Sequence, residues 1–254
     1  MNFVVVSLAE RPELEDGLWD DAFRDAWPAF MFEDPTATLY FGEGRLDRFH
    51  EFVLVAFDVD EPEVVLARGC SVPFRFGEDV YRSDLPDGGW DAVVRWADQD
   101  YTLGREPNAV SALEITLRPT LQGQGLSTLM VAAMKANAAK LGFSDLYAPV
   151  RPSHKHLEPE TPIRDYTSRC RTDGLPFDPW LRVHARLGGE IVKVAPHSMT
   201  VPGTLEAWRR WTGLPFNQSG NVNIPGGLVP VHASLKQNHA VYVEPNVWVR
   251  HRLL

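Results

Sequence analysis

Residues 118–130, RPTLQGQGLSTLM, set Gly123 and Gly125 between an apolar run that ends at Pro119 and a helix-like pattern that begins near Leu126. A turn of this kind leaves the first N–H groups of the helix without intrahelical partners. With the helix dipole they form a site for an anion, and the glycines let a bulky phosphate approach the backbone. A dinucleotide fingerprint would need a third glycine where this chain has Thr128, and a P-loop would need a lysine that the turn lacks.

Other reactive residue types lead less far. In SHKHLEPE, His154, His156 and Glu158 alternate sides of a strand or loop instead of standing at i and i+4 of a helix. No second cluster completes a zinc set, so no metal is expected. Cys70 and Cys170 are the two cysteines, too few for a disulfide framework, and Cys170 reads as an ordinary thiol in a reducing cytoplasm.

The elements that must position the glycine turn follow from periodicity. LWDDAFRDAW predicts a helix over 17–25, interrupted by Pro28, then an aromatic, irregular lip through Pro35. HEFVLVAFDVDEPEVVLARGCSVPFRF reads as a hairpin of strands near 52–58 and 64–76. Residues 77–107 read as an insertion with a short helix carrying Trp90, Val93, Val94 and Ala97. AVSALEITLRP is a strand over 110–117, STLMVAAMKANAAKLG a helix ending at Gly142, and FSDLYAPV another strand. DPWLRVHARLGG is a helix with Pro179 in its first turn, and GEIVKVAPHSMTV, LVPVHASL, AVYVEP and VWVRHRL are further strands. No repeat or low-complexity linker divides residues 1–254, which therefore read as one domain.

Charge is distributed unevenly. Residues 1–100 carry 23 acids against eight arginines and no lysine, a net charge of −15, whereas residues 101–254 carry a net +6. That polarity suits either a polyanion held in the basic half with a cationic partner in the acidic half, or simple solubility. No basic amphipathic stretch or apolar run of membrane length is present, so neither nucleic acid nor membrane is an expected partner.

QGQGLS, Gln122 to Ser127, resembles the [Q/R]-x-x-G-x-[G/A] signature of the GNAT superfamily of acyl-CoA-dependent N-acetyltransferases, with serine in the final place. The order of elements and RVHARLGGEIV are similar to that family as well. The resemblance implies an α/β fold of α+β type: a mixed, mostly antiparallel central sheet flanked by helices, with the 77–107 insertion and a C-terminal strand extension. It implies acetyl-CoA, or another acyl-CoA, as co-substrate. The pyrophosphate would lie on amides within Gln122, Gly123, Gln124, Gly125, Leu126, Ser127 and Thr128, with Ser127 able to cap the helix. The pantetheine would run along the backbone of Ile115, Thr116 and Leu117.

Further roles follow from the resemblance. Glu114, the acid of the signature strand, would accept the amine's proton, or else face outward and pair with an arginine. His184 stands where the family's general-acid tyrosine is usual, with Tyr166 and Tyr147 as other donors. Arg151 and Lys155 would meet CoA phosphates. Trp27, Phe30, Phe32, Glu33 and Asp34 fall at the acceptor lip, which favours a small-molecule amine. The chain would act as a monomer or homodimer. Alternatives are a non-catalytic acyl-CoA sensor, or transfer of longer acyl chains into a gap near Met130 and Met134.

Overall fold

A computed structural model describes residues 2–253. Nine strands form one sheet: β1 (Phe3–Ser7), β2 (Val53–Asp58), β3 (Ala67–Phe74), β4 (Ala109–Leu117), β5 (Asp145–Val150), β6 (Glu190–Gly203), β7 (Gly220–Val222), β8 (Val231–Ser234) and β9 (His239–Arg252). Their order is β1-β2-β3-β4-β5-β9-β8-β7, and β6 pairs with the other edge of β9. Every pairing is antiparallel except β4 with β5. The helices are α1 (Asp21–Arg24), α2 (Thr38–Phe41), α3 (Gly89–Thr102), α4 (Leu126–Lys140), α5 (Ile163–Thr167), α6 (Pro179–Arg186) and α7 (Leu205–Thr212).

Side-chain alternation along the strands sorts the two faces. On one face Leu54, Ala56 and Val110 pack with Met130 and Met134 of α4, and Ala148, Val150, Val247 and Val249 pack with Leu181 of α6. On the other, Val53, Val55, Val72, Tyr147, Tyr242 and Trp248 join the N-terminal segment and α3 in a larger core. The apolar positions expected in the insertion, Trp90, Val93, Val94 and Ala97, are the buried stripe of α3.

Two features depart from the expected outline. The helix over 17–25 is instead a 3-10 stretch, Pro12–Trp19, followed by α1, because Asp20 adopts an extended conformation and its side chain caps α1 through Ala22 N. The C-terminal strands are not simply appended: β9 lies inside the sheet, one edge serving β5 and β8 and the other β6. The additional structure is the stretch between β6 and β9, with α7, β7 and β8.

One irregularity shapes the site. In the β3–β4 ladder Cys70 faces Glu114 and Ser71 faces Ala112, so Leu113 is an extra residue on β4. A bulge bends and twists its strand. Beyond it β4 and β5 part: they pair at Val110 with Leu146 and Ser111 with Tyr147, and the rest of β4 has no pairing with β5.

Candidate active site

The glycine turn opens the site. Gly123 and Gly125 have φ of 78° and 81°, the left-handed region that glycine enters without Cβ crowding. Gly125 is the N-cap of α4, with no side-chain cap, so Ser127 does not cap the helix as expected. Thr128 N and Leu129 N both bond to Gly125 O, at 3.0 and 3.2 Å. Among the described residues the amides of Gly123, Gln124, Gly125, Leu126 and Ser127 have no protein acceptor. The free donors therefore end at Ser127, and Thr128 spends its amide inside the helix. Gln122, Gly123 and Ser127 border a cleft of about 1290 Å³. The Gln124 side chain turns back to Thr120 O, and the Leu126 side chain is buried under the sheet.

The cleft continues into the gap between β4 and β5, lined by Ala112 to Leu117 on one side and Ala148 to Val150 on the other. Ile115 and Leu117 pack toward α4, which sends Glu114 and Thr116 to the opposite face. Thr116 Oγ1 accepts from Trp27 Nε1 at 3.0 Å, and Trp90 Nε1 donates to Leu113 O at 3.2 Å, holding the bulge. Glu114 lines the cleft and pairs with an arginine there instead of facing outward. Its Oε1 lies 2.6 Å from Arg68 Nε, an ion pair lying off the N–H direction. Arg68 also donates from Nη1 to Leu18 O at 2.6 Å, and its guanidinium sits within 5.5–6.0 Å of the Phe23, Phe41 and Trp19 ring centres. Burial pushes the Cys70 thiol up, so it stays protonated beside Glu114.

α6 forms another wall through Pro179, Trp180, Val183 and His184. Asp178 fixes its start, accepting from Trp180 N, Leu181 N, Ser153 N, His154 N and the Tyr166 hydroxyl at 2.9–3.2 Å. His184 Nδ1 is 2.9 Å from His251 Nε2. Burial, then the neighbouring His251, pulls His184 down to about 3, and burial followed by Lys135 pulls His251 down to about 4. Both rings are thus neutral at neutral pH, and an imidazolium acid is not available there.

Several expected site residues lie elsewhere. Tyr166 is buried against Asp178, which together with burial pushes its hydroxyl up, and neither it nor Tyr147 borders the cleft. Phe30 is core, packed on Tyr242 and Trp208. Asp34 is buried, accepts from Thr36 N and faces Asp91, and Glu33 is exposed off the cleft. Of the lip, Trp27 and Phe32 do line it. Lys155 is fully buried, donating to Glu158 O, Pro159 O and Leu228 O, so it meets no phosphate. Arg151 is paired with Glu244 on the face away from the glycine turn's helix. Met130 and Met134 fill the space over Gly69 instead of the acyl gap. His156 and Glu158 are taken by Ser153 O and Arg169 and do not converge. Sequence reasoning missed Arg68, Trp90 and Glu244 as site residues, and it gave Arg151 to CoA phosphates instead of to Glu244. For Arg68 a signal existed, since a charge inside the apolar run VVLARGCSV needs a buried partner.

No family model matches the sequence. A curated relative, the arginine N-acetyltransferase avaD of Aspergillus versicolor, is 33% identical over 271 residues, covering 96% of this chain and 91% of that protein. Among solved structures, the loading GNATL domain of CurA from Lyngbya majuscula superposes with a TM-score of 0.64 at 15% identity, over 100% of this chain and 98% of that one. The GphF GNAT-like decarboxylase in complex with isobutyryl-CoA gives 0.57 at 13% identity over the whole of both chains. With the glycine turn, the parted strands and this relative together, the chain belongs to the GNAT superfamily and is an acyl-CoA-dependent N-acyltransferase that uses a small-molecule acceptor.

Proposed function

We propose that the acceptor is the amine of a free amino acid, with arginine the first to test, and that Glu114 is the group that takes its proton. The observation that carries this reading is the position of Glu114: a carboxylate on the part of β4 that has parted from β5, inside a cleft edged by Trp27 and Phe32. Aromatic faces with a carboxylate suit a cationic amine, and a relative that acylates arginine supports the same class.

In this reading the amides of Gly123 to Ser127 hold the pyrophosphate, and the main chain of Ile115 to Leu117 holds the pantetheine and polarises the acyl carbonyl. Acyl-CoA supplies the activated acyl group. Glu114 receives the proton that the attacking ammonium must lose and passes it to solvent. Arg68 fixes the carboxylate's orientation through its ion pair, its bond to Leu18 O and its three aromatic neighbours. The amine nitrogen then bonds to the acyl carbon, and the carbon–sulfur bond breaks. The proton that the nitrogen sheds on becoming an amide goes to the thiolate through solvent, with His184, neutral at working pH, as a hydrogen-bonding neighbour of the sulfur and not an imidazolium acid.

The test is thiol release from acetyl-CoA with arginine as acceptor. Glu114→Gln is expected to lower kcat/KM about 100-fold and to change the pH–rate profile. A variant with an unchanged profile would take Glu114 out of the mechanism, and turnover of peptides alone would overturn the acceptor class.

A further inference from the structure

Behind the lip lies a polar cluster that proton transfer and CoA binding do not use. Glu244 is 0% exposed, yet it is a cleft-lining residue. Its two oxygens accept from Arg151 Nε at 3.0 Å each, from the Tyr242 hydroxyl at 2.7 Å and from Asn246 Nδ2 at 3.1 Å. Arg151 Nη2 donates to Gly226 O at 2.5 Å. Burial works against the guanidinium's charge, but the adjacent Glu244 outweighs it and keeps the group protonated. Nη1 has no partner among the described residues, and the side chain keeps 19% of its surface open on the cleft. The result is a guanidinium clamped along one edge with its end left free.

Its side of the sheet is informative. On β9, Tyr242, Glu244, Asn246 and Trp248 share a face, and Tyr242 and Trp248 belong to the core opposite α4 and α6. Glu114 and Thr116 point to that same side of β4. The glycine turn and His184 belong to helices on the other side. Gly226 presses on Pro28, next to Trp27 of the lip: a Cβ at Gly226 would meet Pro28 Cγ at 2.6 Å. Arg151 therefore stands on the acceptor's side of the β4–β5 gap, fixed before anything binds. A rigid, charged donor with a free end is suited to a planar carboxylate.

We infer that Arg151, held by Glu244, receives the α-carboxylate of the acceptor; this rests on the amino-acid reading above. Of the other arginines lining the cleft, Arg68 is taken by Glu114, and Arg24 is exposed and packs over Phe32. It has no clamp.

The test compares arginine with agmatine, its counterpart without a carboxylate, in acetyl-CoA turnover. Wild-type protein is expected to prefer arginine in kcat/KM by about 100-fold, as for a charge-assisted contact. Arg151→Gln should remove that preference, raising KM for arginine while agmatine stays within about threefold. Since Arg151→Gln strands the buried Glu244, the double variant Arg151→Met with Glu244→Gln removes both charges and is expected to show the same selective loss. Equal wild-type use of the two amines overturns the inference and leaves the arginine reading standing. So does an equal loss for both amines in the double variant, which would put Arg151 on the acyl group. Turnover of neither amine, with thiol release on a different class of amine, overturns the acceptor reading and this one with it.

Discussion

Two pairs of titrating side chains sit outside the proton path yet set how the fold responds to pH. Asp34 and Asp91 are both buried and face each other, and each has one oxygen with no partner. Burial, then the Asp34 charge, pushes Asp91 up to about 8 from its ordinary 3.8. The folded value is the higher one, so the proton stabilises the fold. That contribution is complete below about pH 4 and is lost as pH rises through about 8. Asp91→Asn should thus stabilise the protein more at pH 9 than at pH 5, by at least about 1 kcal/mol. Urea unfolding at the two pH values measures this, and an equal shift at both would show that the pair does not titrate as stated. The His184–His251 pair acts in the opposite sense. Folded values of about 3 and 4 lie below the ordinary 6.5, so stability is full above pH 6.5 and drains away as pH falls through 4 and then 3. His251→Gln keeps a hydrogen-bonding group beside His184 Nδ1 but cannot titrate. Its unfolding free energy should fall less between pH 7 and pH 4 than that of the wild type. A parallel fall would mean that His251 is not the titrating group.

At the scale of elements, Asp178 is the joint of the α6 wall. One carboxylate caps α6, orders the loop at Ser153 and His154 and holds Tyr166. Asp178→Ala leaves these donors unsatisfied and is expected to cost about 3 kcal/mol of stability, with KM for acetyl-CoA rising as the wall loosens. Asp178→Asn keeps an acceptor oxygen and should lose less. Tyr166→Phe removes one of the bonds to Asp178 without touching the cleft, so kcat should be retained. Denaturant melts and steady-state kinetics on the three variants check this order, and an Asp178→Ala protein as stable as wild type would remove the joint. The same elements show what was legible in the sequence. The glycine turn was, because a left-handed backbone position writes itself as Gly123 and Gly125. The apolar stripe of α3 was too, since a helical period survives in an insertion. The Arg68–Glu114 pair was not, because the Leu113 bulge sets which residues meet across β3 and β4. Nor was the Arg151–Glu244 clamp, whose partners are 93 positions apart and meet only after β9 enters the sheet. The lip divided for a similar reason: Phe30 and Asp34 have types that suit a site, but tertiary packing turned them inward.

Over the whole molecule, the last strand decides whether the chain behaves as one unit. The acidic first hundred residues supply the lip, and the basic remainder supplies the glycine turn and Arg151. A boundary between them would run through the cleft. β9 opposes such a boundary, since it bonds β5, β6 and β8 at once. The larger core runs from Leu8 and Leu14 near one end of the chain to Tyr242 and Trp248 near the other, and Trp248 Nε1 donates to Pro86 O across 162 positions. Opening either half exposes apolar surface of the other, so partial unfolding is disfavoured relative to complete unfolding. We therefore expect a single domain to unfold in one calorimetric transition, with the calorimetric and van't Hoff enthalpies equal. Saturating CoA should shift that transition upward as a whole, without splitting it, because the ligand bridges elements that melt together. Two transitions, of which CoA moved only one, would show that the acceptor lip and the nucleotide-binding half fold as separate units.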